Sequence, residues 1–275
     1  MIHHTENETT SMCGQAIATV IADSVSPYDG TRITTFELVY PRYIHSELMT
    51  HRVFSRNASS SRATPLSVTL TEVRDDPVFF DYVGKNQSGM VAGEELTGVE
   101  LEQFHAEWNY LAEYVAGRVM GMSERYGIHK QTLNRALEPW LRIRTLVTST
   151  EWENFFKLRI AEDAQPEMRS LALAMKRAGA ASKPVEDYFH TPYVNRDPKK
   201  LSQDEKNQCI ARCARVSYAR HDGKEPSLED DLKLYERLKV SGHMSPFEHC
   251  AFAEEGQWAN FKGWRSVRNY LEESK

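Results

Sequence analysis

Only four cysteines occur in 275 residues, Cys13, Cys209, Cys213 and Cys250. That is too few for a disulfide framework in a chain this long, and a reduced, cytoplasmic protein is expected. Cys209 and Cys213 stand one helical turn apart with His243 and His249 downstream, so a zinc site can be imagined. The paired C-x-x-C spacing is missing, however, and ordinary half-buried thiols with no metal are expected. No run of eighteen apolar residues occurs, and the opening MIHHTENETTSM has no apolar stretch, so neither a membrane span nor a secretion signal is expected. A basic excess is absent too. The net charge is -5 and the pI about 6.1, which excludes the global positive field of a non-specific nucleic-acid binder. No stable nucleic-acid partner is expected, and any positive patch must be local.

Hydrophobic residues make up 40 %, enough for a buried core. QAIATVIAD (15–23) and RITTFELVY (32–40) are β-branched and aromatic, and alternation in the second puts Phe36, Leu38 and Tyr40 on one face. SPYDG between them is turn chemistry, so the pair reads as a hairpin. Pro41 suits the first position of a helix whose face carries Ile44, Leu48 and Val53. Residues 66–100 look irregular, with KNQSGM a candidate loop over a site. From about 99 to 125, Leu101, Phe104, Trp108, Leu111, Tyr114, Val115 and Val119 recur at helical spacing, which predicts a long core-facing helix. Another helical stretch runs from His129 toward Pro139. Thr150 and Glu153 have capping-box spacing and predict a helix start. AQPEMRSLALAMKRAG follows as a helix stopped by Gly179. Residues 181–204, with Pro184, Pro192 and Pro198, are the most linker-like part. Beyond them come a helical run from about 205 and a helix capped by Ser227, with Leu228, Leu232, Tyr235 and Leu238 as its stripe and Gly242 as its stop. Ser245, Pro246 and Glu248 predict a further start, with His249 in its first turns.

MTHRVFSRNASSSRATP, residues 49–65, concentrates a histidine, three arginines, an asparagine and several hydroxyls in one span. Three readings compete for it: a solvated linker, a grip on nucleic acid, or a site for a phosphorylated small molecule. Phosphate recognition asks for guanidinium forks and hydroxyls brought together, and His51, Arg52, Ser60 and Arg62 supply them within twelve residues.

Spacing favours the third reading. His51-Arg52, seven residues, then Ser60 and Arg62 resembles the R-H-R-x7-S signature of the flavin-dependent thymidylate synthases, the ThyX family. TEWENFFKLRIAEDAQPEMRSLA resembles that family's Asn-x3-Leu-Arg helix and A-Q-x-E segment. ARVSY (214–218) and GHMSPFEH (242–249) resemble its R-V-S and G-H-x-S-P-x-E-H segments. These last two normally precede the signature and here follow it, which resembles a circular permutation. The expected organisation is a single catalytic domain over 1–275, with the usual N-terminal segment at about 205–275.

The resemblance implies a single α+β domain, a mostly antiparallel sheet packed against long helices, assembled as a homotetramer with sites between subunits. It implies reductive methylation of dUMP to dTMP, with methylenetetrahydrofolate, FAD and NADPH. His51, Arg52 and Asn57, with Asn154, Ser217 and His249, would contact FAD. Ser60 and Arg62 would hold the nucleotide phosphate, Arg135 would reach a phosphate from a neighbouring subunit, and Leu158 and Arg159 would meet the pyrimidine, Arg159 as the catalytic charge. Plainer roles compete. Asn154 could be an exposed helix residue, Arg159 could pair with Glu151 or Glu162, Ser217 could be a core hydroxyl, and His249 could merely satisfy backbone. Lys157, Lys199 and Lys200 read as solvated surface, and the 104–114 aromatics as core. The chain departs from the family pattern at Glu47, Thr50, Ala58 and Ala63; a Glu47 carboxylate beside a phosphate would repel it unless an arginine pairs with it. A related pyrimidine nucleotide such as dCMP, hydroxymethylation, a silent relative and a nucleic-acid binder are the alternatives.

Overall fold

In a computed structural model, residues 9–194, 200–217 and 225–273 are described. The strands are β1 (Thr9–Cys13), β2 (Ala16–Val25), β3 (Arg32–Pro41), β4 (Ser55–Ala58), β5 (Arg142–Ser149), β6 (Val185–Glu186), β7 (Phe189–His190), β8 (Ala251–Trp258) and β9 (Phe261–Ser266). The helices are α1 (His45–Leu48), α2 (Leu66–Asp75), α3 (Gly98–Tyr126), α4 (Lys130–Leu133), α5 (Glu153–Arg159), α6 (Pro166–Ala181), α7 (Gln203–Ala214), α8 (Leu228–Ser241) and α9 (Val267–Glu273). The architecture is an α+β mix, as expected. The main sheet runs β1-β2-β3-β5-β4, every pair antiparallel, and β6 adds a short parallel pairing to β2.

The β2–β3 hairpin closes as its turn chemistry requires. Ser26 N donates to Thr31 O, and Gly30 takes φ +73°, a conformation that costs a residue with a Cβ. Alternation then sorts β3. Phe36, Leu38 and Tyr40 join Ile143 and Val147 of β5 in one cluster under Met168, Leu171, Met175 and Ala178 of α6. Helix α6 starts at Pro166, with the Gln165 side chain accepting from Met168 N, and runs through Gly179 to Ala181. Gly179 is thus not its stop. A Cβ there would come within 3.2 Å of the Phe36 ring, so the glycine lets helix and sheet approach closely.

The opposite face is covered by α7, α8 and the small β7-β8-β9 sheet. Both helices begin with capping boxes, Ser202 with Glu205 and Ser227 with Asp230. Gly242 ends α8 in the left-handed region. They are clamped together by Asp231, fully buried, which accepts from Arg212 Nε at 2.5 Å and Arg215 Nε at 2.6 Å. Cys209, Cys213 and Cys250 are fully buried in the same cluster, deeper than half-buried thiols. Helices α2 and α3 form a third cluster with Trp140 and Leu141.

Several expectations are corrected. Residues 66–75 are a helix, not irregular, and α1 ends at Leu48, leaving Val53 exposed while Phe54 is buried. The 49–65 stretch is not all loop, because its middle is edge strand β4. Thr150 does not cap α5. The helix starts at Glu153 with no side-chain cap, and Thr150 Oγ1 accepts from Lys262 N. Ser245–Glu248 is a short 3₁₀ turn capped by no side chain, and His249 ends it rather than lying in a helix. Glu248 pairs instead with Arg268. On α3 only Ala112, Ala116 and Val119 are fully buried, whereas Leu111 and Tyr114 are exposed. Leu228 is exposed on α8, and Leu234 fills the expected stripe. The linker-like span carries β6 and β7, and β7 is buried. Pro198, Lys199 and Tyr218 lie outside the described residues.

Candidate active site

His51, Asn57, Arg159, Ser217 and His249 gather around edge strand β4. His51 follows α1, its amide donating to Leu48 O. Its ring meets Phe155 edge-on at 4.8 Å between centroids and stacks on Phe54 at 5.7 Å. Phe155 is the buried anchor of α5, so it seats the helix and puts Arg159, about one turn on, at the rim above His51. Arg159 Nε donates to His51 Nε2 at 2.9 Å. A guanidinium can only donate, so Nε2 carries the lone pair and the His51 proton sits on Nδ1. Burial, then the charges of Arg159 and Arg56, lower the His51 pKa and keep the ring neutral.

The rest of the Arg159 fork answers the question posed by Glu47. Nη1 lies 3.9 Å from Glu47 Oε2, and Nη2 donates to Thr50 Oγ1 at 3.3 Å. Arg159 therefore pairs with Glu47 and with neither Glu151 nor Glu162.

On the other face, the displaced C-terminal segment docks against β4. Asn57, buried, donates through Nδ2 to Cys213 O at 2.8 Å, and Ser217 Oγ donates to Ala58 O. Ser55 is paired with Thr148 of β5, and Thr148 Oγ1 bonds His249 Nδ1 at 2.8 Å. His249 is fully buried, and burial pushes its pKa down to about 3. Its Nε2 has no hydrogen-bond partner among the described residues.

Other candidates stand apart. Arg52 and Arg62 are exposed, and neither guanidinium has an ion pair among the described residues. Ser60 Oγ accepts from Arg62 N at 3.3 Å. Arg135, exposed, reaches Glu138 at 3.2 Å. Asn154 and Leu158 are both exposed on α5. None of the predicted residues lines the cavities of about 620, 380 and 190 Å³ found beside α2 and α3, beside α7, and beside β9. Of the predicted residues, His51, Asn57 and His249 are buried, while Arg52, Arg62, Arg135, Asn154 and Leu158 are exposed in the single chain.

Sequence reasoning missed His190 altogether, since it lies in the proline-bearing span read as linker. Its only local signal was YFH, an apolar residue and a histidine between Pro184 and Pro192. The ring is fully buried, bonded to Ser24 and Thr35.

The fold is α+β, and its edge strand gathers a neutral histidine, an arginine fork and a buried asparagine into one polar cluster. Residues 26–185 match the family model of the thymidylate synthase complementing protein. The chain belongs to that family, the ThyX family, and is a thymidylate synthase-type enzyme of nucleotide biosynthesis. No curated protein matches the chain. Among the described residues no helix is long and apolar enough to cross a membrane.

Proposed function

We propose that this enzyme reductively methylates dUMP to dTMP with methylenetetrahydrofolate as one-carbon donor and NADPH as reductant, and that FAD is its resident cofactor. The observation that carries the reading is convergence at β4. Three stretches far apart in sequence meet there: Arg159 on His51, Cys213 and Ser217 on Asn57 and Ala58, and His249 behind Ser55 on Thr148.

The residues present fit a flavin. Among the described residues His249 Nε2 is buried without a partner, and the Arg52 guanidinium is exposed without an ion pair. His51, Arg52, Asn57, Asn154, Ser217 and His249 would hold it, and when bound it supplies the hydride. Ser60 and Arg62 bind the nucleotide phosphate. Arg159, held in aim by His51, meets the pyrimidine beside Leu158 and stabilises negative charge as it develops on the ring oxygen. Arg135 reaches a phosphate on a neighbouring copy. A homotetramer is supported by Tyr110, Leu111 and Tyr114 of α3, which are 70 %, 47 % and 56 % exposed in the single chain. The family match ends before residue 205, and the segment beyond it still packs on β4, which supports one permuted domain. Four free cysteines suit a cytoplasmic setting.

Glu47 favours a second reading. A carboxylate beside Arg159 is an acceptor, which suits the exocyclic amine of dCMP better than the oxygen of dUMP. The purified protein should show flavin absorption bands that shift when dUMP is added. Mass analysis of product from dUMP or dCMP, with folate and NADPH, separates the two nucleotides. A preparation that stays colourless with added FAD and converts neither nucleotide overturns both.

A further inference from the structure

A line of five side chains crosses the polar face of the sheet. Ser24 Oγ lies 2.9 Å from His190 Nδ1, and His190 Nε2 lies 2.7 Å from Thr35 Oγ1. Thr35 Oγ1 lies 2.7 Å from Thr148 Oγ1, which lies 2.8 Å from His249 Nδ1. Both rings are fully buried, and the threonines are direct partners across β3 and β5. The first link depends on a bulge. Val20 pairs with Phe36 but Ala22 with Thr35, so one extra residue turns Ser24 onto the histidine side. A regular strand would aim Ser24 at α6.

Each hydroxyl has one hydrogen to give, so the line can be ordered in two directions. Run from His249 toward Ser24, it leaves two groups unmet: the Ser24 hydrogen, which has no acceptor among the described residues, and the His249 Nε2 lone pair. Run from Ser24 toward His249, every hydroxyl hydrogen is used. Ser24 donates to His190, His190 Nε2–H to Thr35, Thr35 to Thr148, and Thr148 to His249 Nδ1. Only the His249 Nε2–H is then unmet.

We propose that His190 is a positioning residue that acts on His249 through Thr35 and Thr148, fixing His249 as the Nε2–H tautomer and making its buried edge a hydrogen-bond donor. The ligand atom it asks for carries a lone pair, such as a carbonyl oxygen or ring nitrogen of a heterocycle. That this heterocycle is the flavin rests on the reading above; the tautomer does not.

The test is nitrogen NMR on the protein labelled with ¹⁵N-histidine, the His249 signals being assigned by their loss in His249→Gln. Expected are an unprotonated Nδ1 and a protonated Nε2. Thr148→Val keeps the volume and deletes the link, so His249 should move to a mixture of tautomers and flavin should bind about tenfold more weakly. Thr148→Ser should restore both. His190→Phe should mix the His249 tautomers while Thr148 stays in place. A protonated Nδ1 in the parent protein, or a His249 pattern unchanged in both Thr148→Val and His190→Phe, overturns the proposal. A parent protein with the expected tautomer that takes up no flavin leaves the positioning intact and sinks the flavin reading instead.

Discussion

The central sheet buries both its faces, but the same strands fill them with different chemistry. Phe36, Leu38 and Tyr40 point from β3 into the cluster under α6, where volume is the main requirement. One residue out of phase, Thr35 and Glu37 point the other way. Thr35 joins the two histidines, while Glu37 accepts from the Tyr193 hydroxyl at 2.6 Å and faces Arg144 at 3.5 Å. An apolar face tolerates any filling of the right shape. On a polar face every atom must find a partner, and losing one strands the next. Both faces carry a buried apolar cluster, the second through Ile21 and Leu146 under α7 and α8, but only the second also carries a chain of buried polar partners that sets orientation. Both faces meet at β4, where His51 rests on the apolar cluster and His249 belongs to the polar one.

The largest effects test that division directly. Phe36→Ala should lose about 3–5 kcal/mol in urea unfolding, through lost transfer energy and the cavity left behind. Thr35→Val keeps the volume and should lose about 1–3 kcal/mol, through the partners it leaves unmet. A larger loss for Thr35→Val than for Phe36→Ala would break the comparison.

Arg159→Ala comes next, acting at the rim above the apolar face. If Arg159 has the proposed role, the change should lower kcat about 10²–10³-fold, since it would remove a charge aimed at the transition state. Flavin absorption of the purified variant should be retained. Normal turnover would show that α5 does not carry the charge.

Acid sharpens the contrast between the faces. Burial pushes the pKa values of His190 and His249 down to about 3, against 6.5 for a free ring. Between those values the unfolded chain binds a proton on each ring that the folded chain refuses. Their contribution is therefore full above pH 6.5 and falls as pH drops, by about 3 kcal/mol per unit for the pair. Urea midpoints recorded from pH 7 to 4.5 should follow that slope, and His190→Gln should remove about half of it.

How much of this could be read from the chain depended on range. The hairpin, α3, α6 and α8 were legible because periodicity and turn chemistry are local. So was the helix that carries Asn154 and Arg159, though its start was misplaced at Thr150. Edge strand β4 was hidden because four residues rich in polar side chains carry no alternation long enough to count, and their strand state comes from pairing with β5. Thr150 shows the same limit: its hydroxyl found Lys262, more than a hundred residues away, instead of a helix to cap. His190 was hidden because its partners sit on β2 and β3, and nothing within its own segment foretells them. Glu47 was legible as a problem that an arginine would solve, but that the arginine is Arg159 was not, since the pairing needs α1 and α5 side by side.

The smallest effect belongs to Arg62, which no face holds. Its guanidinium is exposed and has no ion pair among the described residues, so removing it should leave the fold untouched. In the proposed role a fork beside Ser60 would serve a phosphate in ground and transition states alike, and such uniform binding appears in KM rather than kcat. Arg62→Ala should raise the KM for dUMP about tenfold with kcat unchanged, as one charge-assisted contact is lost. Added salt screens an exposed pair, so raising ionic strength should weaken nucleotide binding in the parent more than in the variant. A drop in kcat as large as that of Arg159→Ala would move Arg62 from the phosphate to the reacting ring.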